Sequence, residues 1–204
     1  MNKNNKSLAM AATLTGILIV GPALIAQSPS ASTSSMSKKT TATTTTTTTT
    51  TSKLSTGDTK FMRGAATGGM EEVELGKLAA QKASNPDVKS FGQHMVDDHS
   101  KANDQLKALA AQKGVTLPAA MSNQQKHDVG KLSNLSGAAF DSAYVSMMVK
   151  DHKKDVAEFQ KESKSGRDSD VKGWAATTLP TLEGHLKMIE GISSSMHPAK
   201  SAKK

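Results

Sequence analysis

The chain has no cysteine, so disulfides, iron–sulfur clusters and thiolate metal sites are excluded at the outset. Aromatic residues make up only 3% of the sequence, with one Trp and one Tyr. Ala, Lys, Leu and Met are plentiful instead, a mixture that suits helices better than strands. No segment alternates with period two over a useful length. Recognisable catalytic sets are missing too: no nucleophile elbow, no phosphate-cradling glycine loop and no His-Glu-x-x-His. Ser and Thr are abundant, but they concentrate in one low-complexity stretch.

A basic folded face is a further absence. The chain carries a formal charge of +8. Between Phe61 and Ile192, however, 17 Lys+Arg balance 17 Asp+Glu. The remaining nine lysines lie outside that span, offset only by Asp58. A neutral body with basic ends argues against nucleic acid as a partner. The ends suit contact with an anionic envelope surface, and solvated tails are the simpler expectation.

The ends also organise the chain. Lys3 and Lys6 precede a mostly apolar stretch from Leu8 to Ala26, followed by small residues. This predicts an export signal over 1–27, cleaved or retained as an anchor, and hence a periplasmic or cell-envelope location. Residues 28–60 are rich in Ser, Thr and Lys, with unbroken Thr from Thr43 to Thr51. With almost nothing to bury, such a stretch is predicted to be a disordered spacer. The segment 193–204 reads as a disordered basic tail.

Between these ends, over 61–192, lie four long helical patterns. The first runs from about Phe61 to Ser84, and Asn85-Pro86-Asp87 closes it while capping the second. The second carries Val88, Phe91, Met95, His99, Ala102, Leu106 and Leu109 at steps of three and four. Gly114 ends it. A longer connection contains Pro118 and a short helix opened by a capping box at Ser122–Gln125. The third helix begins near Ala138 and carries Asp141, Val145, Met148, His152, Val156 and Phe159. The fourth carries Val171, Trp174, Thr178, Leu182, His185 and Ile189, with Pro180 inside it as an expected kink. The expected fold class is all-α: a four-helix bundle with a longer middle crossover containing a short helix.

One pattern occurs twice: "MVDDHSK" at Met95–Lys101 and "MVKDHKK" at Met148–Lys154, 53 residues apart. It places His99 and His152 on the apolar stripes of their helices, as His185 is on the fourth. On the first helix the polar residue ringed by small and apolar neighbours is Glu72, with Glu74 a second choice. The four positions lie 11 to 15 residues from their expected helix starts. At 1.5 Å per residue the offsets differ by about 6 Å at most. They are therefore expected to meet in one layer of a bundle.

Three imidazoles and a carboxylate suit one ion of zinc, iron, manganese or copper. Asp98 and Asp151, one residue before their histidines, are better placed to accept from a neighbouring helix's imidazole than from their own. The alternative is a structural or partner-binding envelope protein whose Asp/His layer is a hydrogen-bonded core network. Met95, Met148 and Met188 read as core filler by their spacing, and Tyr144 as a core tyrosine with a bonded hydroxyl. His94 is spaced to pair with Asp98, while His127 and His197 fall on the surface and tail.

The segments Glu72–Ala79, Met95–Asn103, Phe140–His152 and Leu179–Leu186 resemble the exported bacterial domain of unknown function 4142, a ferritin-like helical bundle. The resemblance covers 61–192. It implies the fold and an exported location, and no assigned activity. The wider ferritin-like class often carries a two-metal carboxylate site with Glu-x-x-His motifs. Here Val96, Val149 and Leu182 stand three residues before His99, His152 and His185. A di-iron oxidase centre is not expected, and a single His-rich ion fits better.

Overall fold

The computed structural model describes residues 54–196. The expected export signal, nearly all of the spacer and the tail beyond Met196 lie outside them. The described residues form five helices and no strand: α1 (Thr56–Lys82), α2 (Pro86–Lys113), α3 (Asn123–Ser133), α4 (Gly137–Ser165) and α5 (Ser169–Met196). None is long and apolar enough to cross a membrane.

The boundaries follow local chemistry. Asn85 accepts from the backbone N–H groups of Asp87 and Val88, and Pro86 opens α2. Gly114 closes that helix at φ 66°, the left-handed conformation that glycine adopts without steric cost. Ser122 and Gln125 form the expected capping box of α3. α5 runs through Pro180 without a break in the helix.

Two boundaries differ from expectation. α1 begins at Thr56, inside the segment read as spacer, because Ser55 caps it and Asp58 is tied to the far side of the bundle. α5 likewise continues to Met196, past the expected end at Ile192.

α1 packs most extensively on α2 and α4 on α5, giving two hairpins; α2 then meets α5, and α1 meets α4. The first hairpin is tight enough for backbone contact. A Cβ added at Gly76 would lie 2.6 Å from the Gly92 carbonyl oxygen, and one at Gly92 2.6 Å from Ala79 Cβ. Glycine is required at both positions.

The hairpins clasp each other reciprocally. Asp141, near the start of α4, accepts from Ser84 N at 3.0 Å, Asn85 N at 2.9 Å and the Ser84 hydroxyl, in the link between α1 and α2. Asp58, near the start of α1, accepts from Arg167 N at 3.0 Å and Asp168 N at 3.1 Å, in the link between α4 and α5. Each carboxylate satisfies backbone donors that the helix ends leave open.

The apolar core is not continuous. One cluster holds Leu75, Phe91, Met95, Tyr144, Met148 and Ile189. The other end is filled by Met62, Leu106 and Val171, with Phe159, Ala175 and Leu182 beside them. On every long helix the residue between the two ends is polar and buried: Glu72, His99, His152 and His185.

Candidate metal centre

Each waist residue sits mid-helix between apolar neighbours, and periodicity alone turns it inward. On α2, for example, His99 follows Met95 by one turn and precedes Leu106 by two. All four are buried, His152 completely. The rings of His99, His152 and His185 form a near-regular triangle, with centroids 5.8, 5.4 and 5.5 Å apart. One nitrogen from each lies within 4.8 Å of the other two.

One nitrogen of each ring is held by a hydrogen bond. His152 Nδ1 donates to the Met148 carbonyl at 3.0 Å. His185 Nε2 donates to Asp98 Oδ2 at 2.8 Å, across the α2–α5 seam. His99 Nδ1 donates to Glu72 Oε2 at 2.9 Å. Those bonds fix the tautomers and leave a lone pair on each second nitrogen. His99 Nε2, His152 Nε2 and His185 Nδ1 are buried without a partner, as is Glu72 Oε1. Glu72 Oε1 stands 3.6 Å from His152 Nε2, too far for a hydrogen bond.

Burial shapes the titration of the layer. It pushes Glu72 up to about 7, against the pull of the neighbouring His152. It pushes His99 down to about 4, and holds His152 and His185 below the ordinary histidine range. Around neutral pH the imidazoles are neutral and available as acceptors.

The two aspartates of the repeated motif part company. Asp98 takes the place expected of it, bonded to His185 of the neighbouring helix. It does not pair with His94, which is exposed. Asp151 makes no hydrogen bond to any imidazole among the described residues, contrary to its expected role. Asp151 lies near Glu71 and Glu72 of α1, which bring no N–H donor, and the imidazole of α5 is already bonded to Asp98. Asp151 acts on Glu71 and Glu72 only as a like charge.

Asp155 was missed by the sequence reading. Three residues after His152, it lies beside Glu72, and burial followed by the Glu72 charge pushes its carboxyl up to about 8. The helical spacing His-x-x-Asp was its signal. Met95 and Met148 are core residues, whereas Met188 is 40% exposed. The Tyr144 hydroxyl, expected to be bonded, is buried without a hydrogen-bond partner. Its ring stacks on Phe140 at 5.6 Å, and it is the ring that the core holds. His127 is a surface residue beside Asp128, and His197 lies outside the described residues.

The family described as domain of unknown function (DUF4142) matches residues 43–192, and the chain belongs to it. No curated protein matches the sequence. Among solved structures the fold is similar to a DUF305 fragment from Deinococcus radiodurans, at TM-score 0.62 and 15% identity over 71% of this chain and 99% of that one. A DUF305 protein from Streptomyces coelicolor, provisionally described as secreted, matches at TM-score 0.58 and 13% identity, covering 69% of this chain and 93% of that one. CopM in its Cu(I)-bound form matches at TM-score 0.59 and 14% identity, covering 69% of this chain and 97% of that one. The same protein has been solved with Cu(II). At such identities the likeness concerns the fold alone.

Proposed function

We propose that this chain is an exported cell-envelope protein that binds one transition-metal ion at the waist of its bundle. The ligands are His99, His152 and His185, with Glu72 as the carboxylate and Asp98 orienting His185. One observation carries the reading. Three buried imidazoles, each bonded at one ring nitrogen and unpaired at the other, offer nitrogens within 4.8 Å of one another, with the unpaired Glu72 Oε1 3.6 Å from His152 Nε2. Unpaired buried acceptors cost on the order of 1–3 kcal/mol each. A cation removes that cost for all of them together.

The donor set fits. Three neutral imidazoles and a carboxylate suit copper(II) and zinc, with copper(II) the tighter of the two in the usual order of divalent ions. Ligand nitrogens around one ion lie about 3.3 Å apart at bonds of about 2.0 Å. The rings therefore close by about an ångström, within reach of side-chain torsions. The copper-bound neighbour CopM makes copper the first metal to try. A cell-envelope location rests on the sequence of 1–27.

A second reading is a hydrogen-bonded core layer without metal. The proton that burial keeps on Glu72 up to about pH 7 favours it. The 3.6 Å gap to His152 Nε2 counts against it.

Equilibrium dialysis with elemental analysis separates the two. The full chain is expected to hold about one equivalent of copper(II), and a folded His99→Ala, His152→Ala variant none. No retained ion across copper, zinc, iron and manganese would leave the layer a structural device.

A further inference from the structure

The surroundings of the waist are unlike on its two sides. Phe91 seals one side, edge-on to His152 and His185 at ring distances of 5.9 and 6.2 Å. On the other side, toward Phe159, Trp174 and Leu182, a small cavity of about 30 Å³ lined by all four long helices reaches the layer, with buried Glu72 and His99 at its inner end. Half-buried Gly68, Asp155, Trp174 and Thr178 border it further out. The volume matches about one water molecule or one desolvated cation. The Asp155 side chain is 19% exposed and that of Glu72 6%, so the two carboxylates form a step from solvent to core. Once ionised, these two carboxylates attract a cation, and Lys154, 3.6 Å from Asp155, is the positive charge that it displaces at the rim.

We infer that this cavity is the entry port of the metal ion, in which Asp155 takes up the cation at the rim and Glu72 passes it to the imidazoles. The inference rests on the metal-binding reading above and adds the route. Gly68 borders the route. A Cβ at that position would meet nothing within 4 Å, so a side chain can be introduced there without a clash at its first atom. Leu in place of a mid-helix Gly also favours the helix.

Trp174, the only tryptophan of the chain, borders the same cavity and reports on the ion. Stopped-flow quenching of its fluorescence by copper(II) is measured on the full chain, with equilibrium loading measured in parallel. Gly68→Leu is expected to slow association at least tenfold while still loading one equivalent. Asp155→Asn slows it several-fold. Gly64→Leu, also free of steric conflict but away from the cavity, leaves the rate unchanged. An unaltered rate in fully loaded Gly68→Leu overturns the port and leaves the metal site standing. Loss of equilibrium loading in folded Gly68→Leu also overturns it, because Gly68 would then belong to the site rather than the route. A parent chain that takes up no metal at equilibrium overturns the site and the port together.

Discussion

Two kinds of buried polar group stand in this bundle, and they are treated differently. At the ends, Asp58 and Asp141 are each 2% exposed, and each accepts from two or more backbone N–H groups of the opposite hairpin. Burial alone would raise the Asp58 carboxyl, but the N–H groups of Arg167 and Asp168 and the Ser55 hydroxyl hold it below its ordinary value. At the waist, Glu72 and three histidines are about equally buried and retain four unpaired atoms. The two end carboxylates are satisfied by the fold. At the waist each ring is bonded at one nitrogen and unpaired at the other.

The contrast can be broken most forcefully at an end. Asp141→Ala strands the backbone donors of Ser84 and Asn85 in a half-buried link. It is expected to cost about 3 kcal/mol in urea unfolding, with copper stoichiometry unchanged in the folded fraction. A loss of under about 1 kcal/mol would mean that the clasp is decorative. Asp98→Asn is the matching change at the waist. Its side chain is 43% exposed, so metal-free stability should hardly move. Copper affinity is expected to fall about tenfold, as when other outer partners of ligating histidines are removed. Equal loss of stability and affinity would make Asp98 a fold residue.

His185→Leu sharpens the same comparison with the opposite sign. Filling the waist with a side chain that has no lone pair should raise metal-free stability by about 1 kcal/mol while abolishing metal retention. A destabilised variant would show that the histidine layer is built for stability. The smallest expected effect is protonic. At pH 6 the metal-free protein holds protons on Glu72 and Asp155, whose carboxyls titrate at about 7 and about 8. An arriving cation expels them, so release should be about one proton or more at pH 6. It should decline as pH rises through about 8 and fall in Glu72→Gln. Calorimetry in buffers of different ionisation enthalpy measures it.

How much of this was legible in the sequence depends on sequence distance. The stripes of α2 and α4, the Asn85 and Gly114 caps and the capping box at Ser122 are encoded within a few residues, and they read correctly. Glu72, His99, His152 and His185 could be placed at one level because helical rise is constant. Asp151 could not be assigned correctly without knowing that it lies near Glu71 and Glu72 of α1 and that Asp98 already holds His185. Asp155 was passed over because an acidic residue one turn after a histidine usually faces water. The clasps of Asp58 and Asp141 bridge more than 50 residues in each case, so nothing local marked them. For the same reason composition assigned the start of α1 to the Thr-rich spacer, although Asp58 anchors it.

The most direct test of the claim that the waist is built around an ion is X-ray absorption spectroscopy of the full chain loaded with one equivalent of copper. The expected spectrum shows three imidazole nitrogens and one further light oxygen donor, and loses the imidazole scattering in the His99→Ala, His152→Ala variant. A sulfur shell from methionine, or a spectrum indifferent to that double substitution, would place the copper elsewhere and contradict the assignment of the waist.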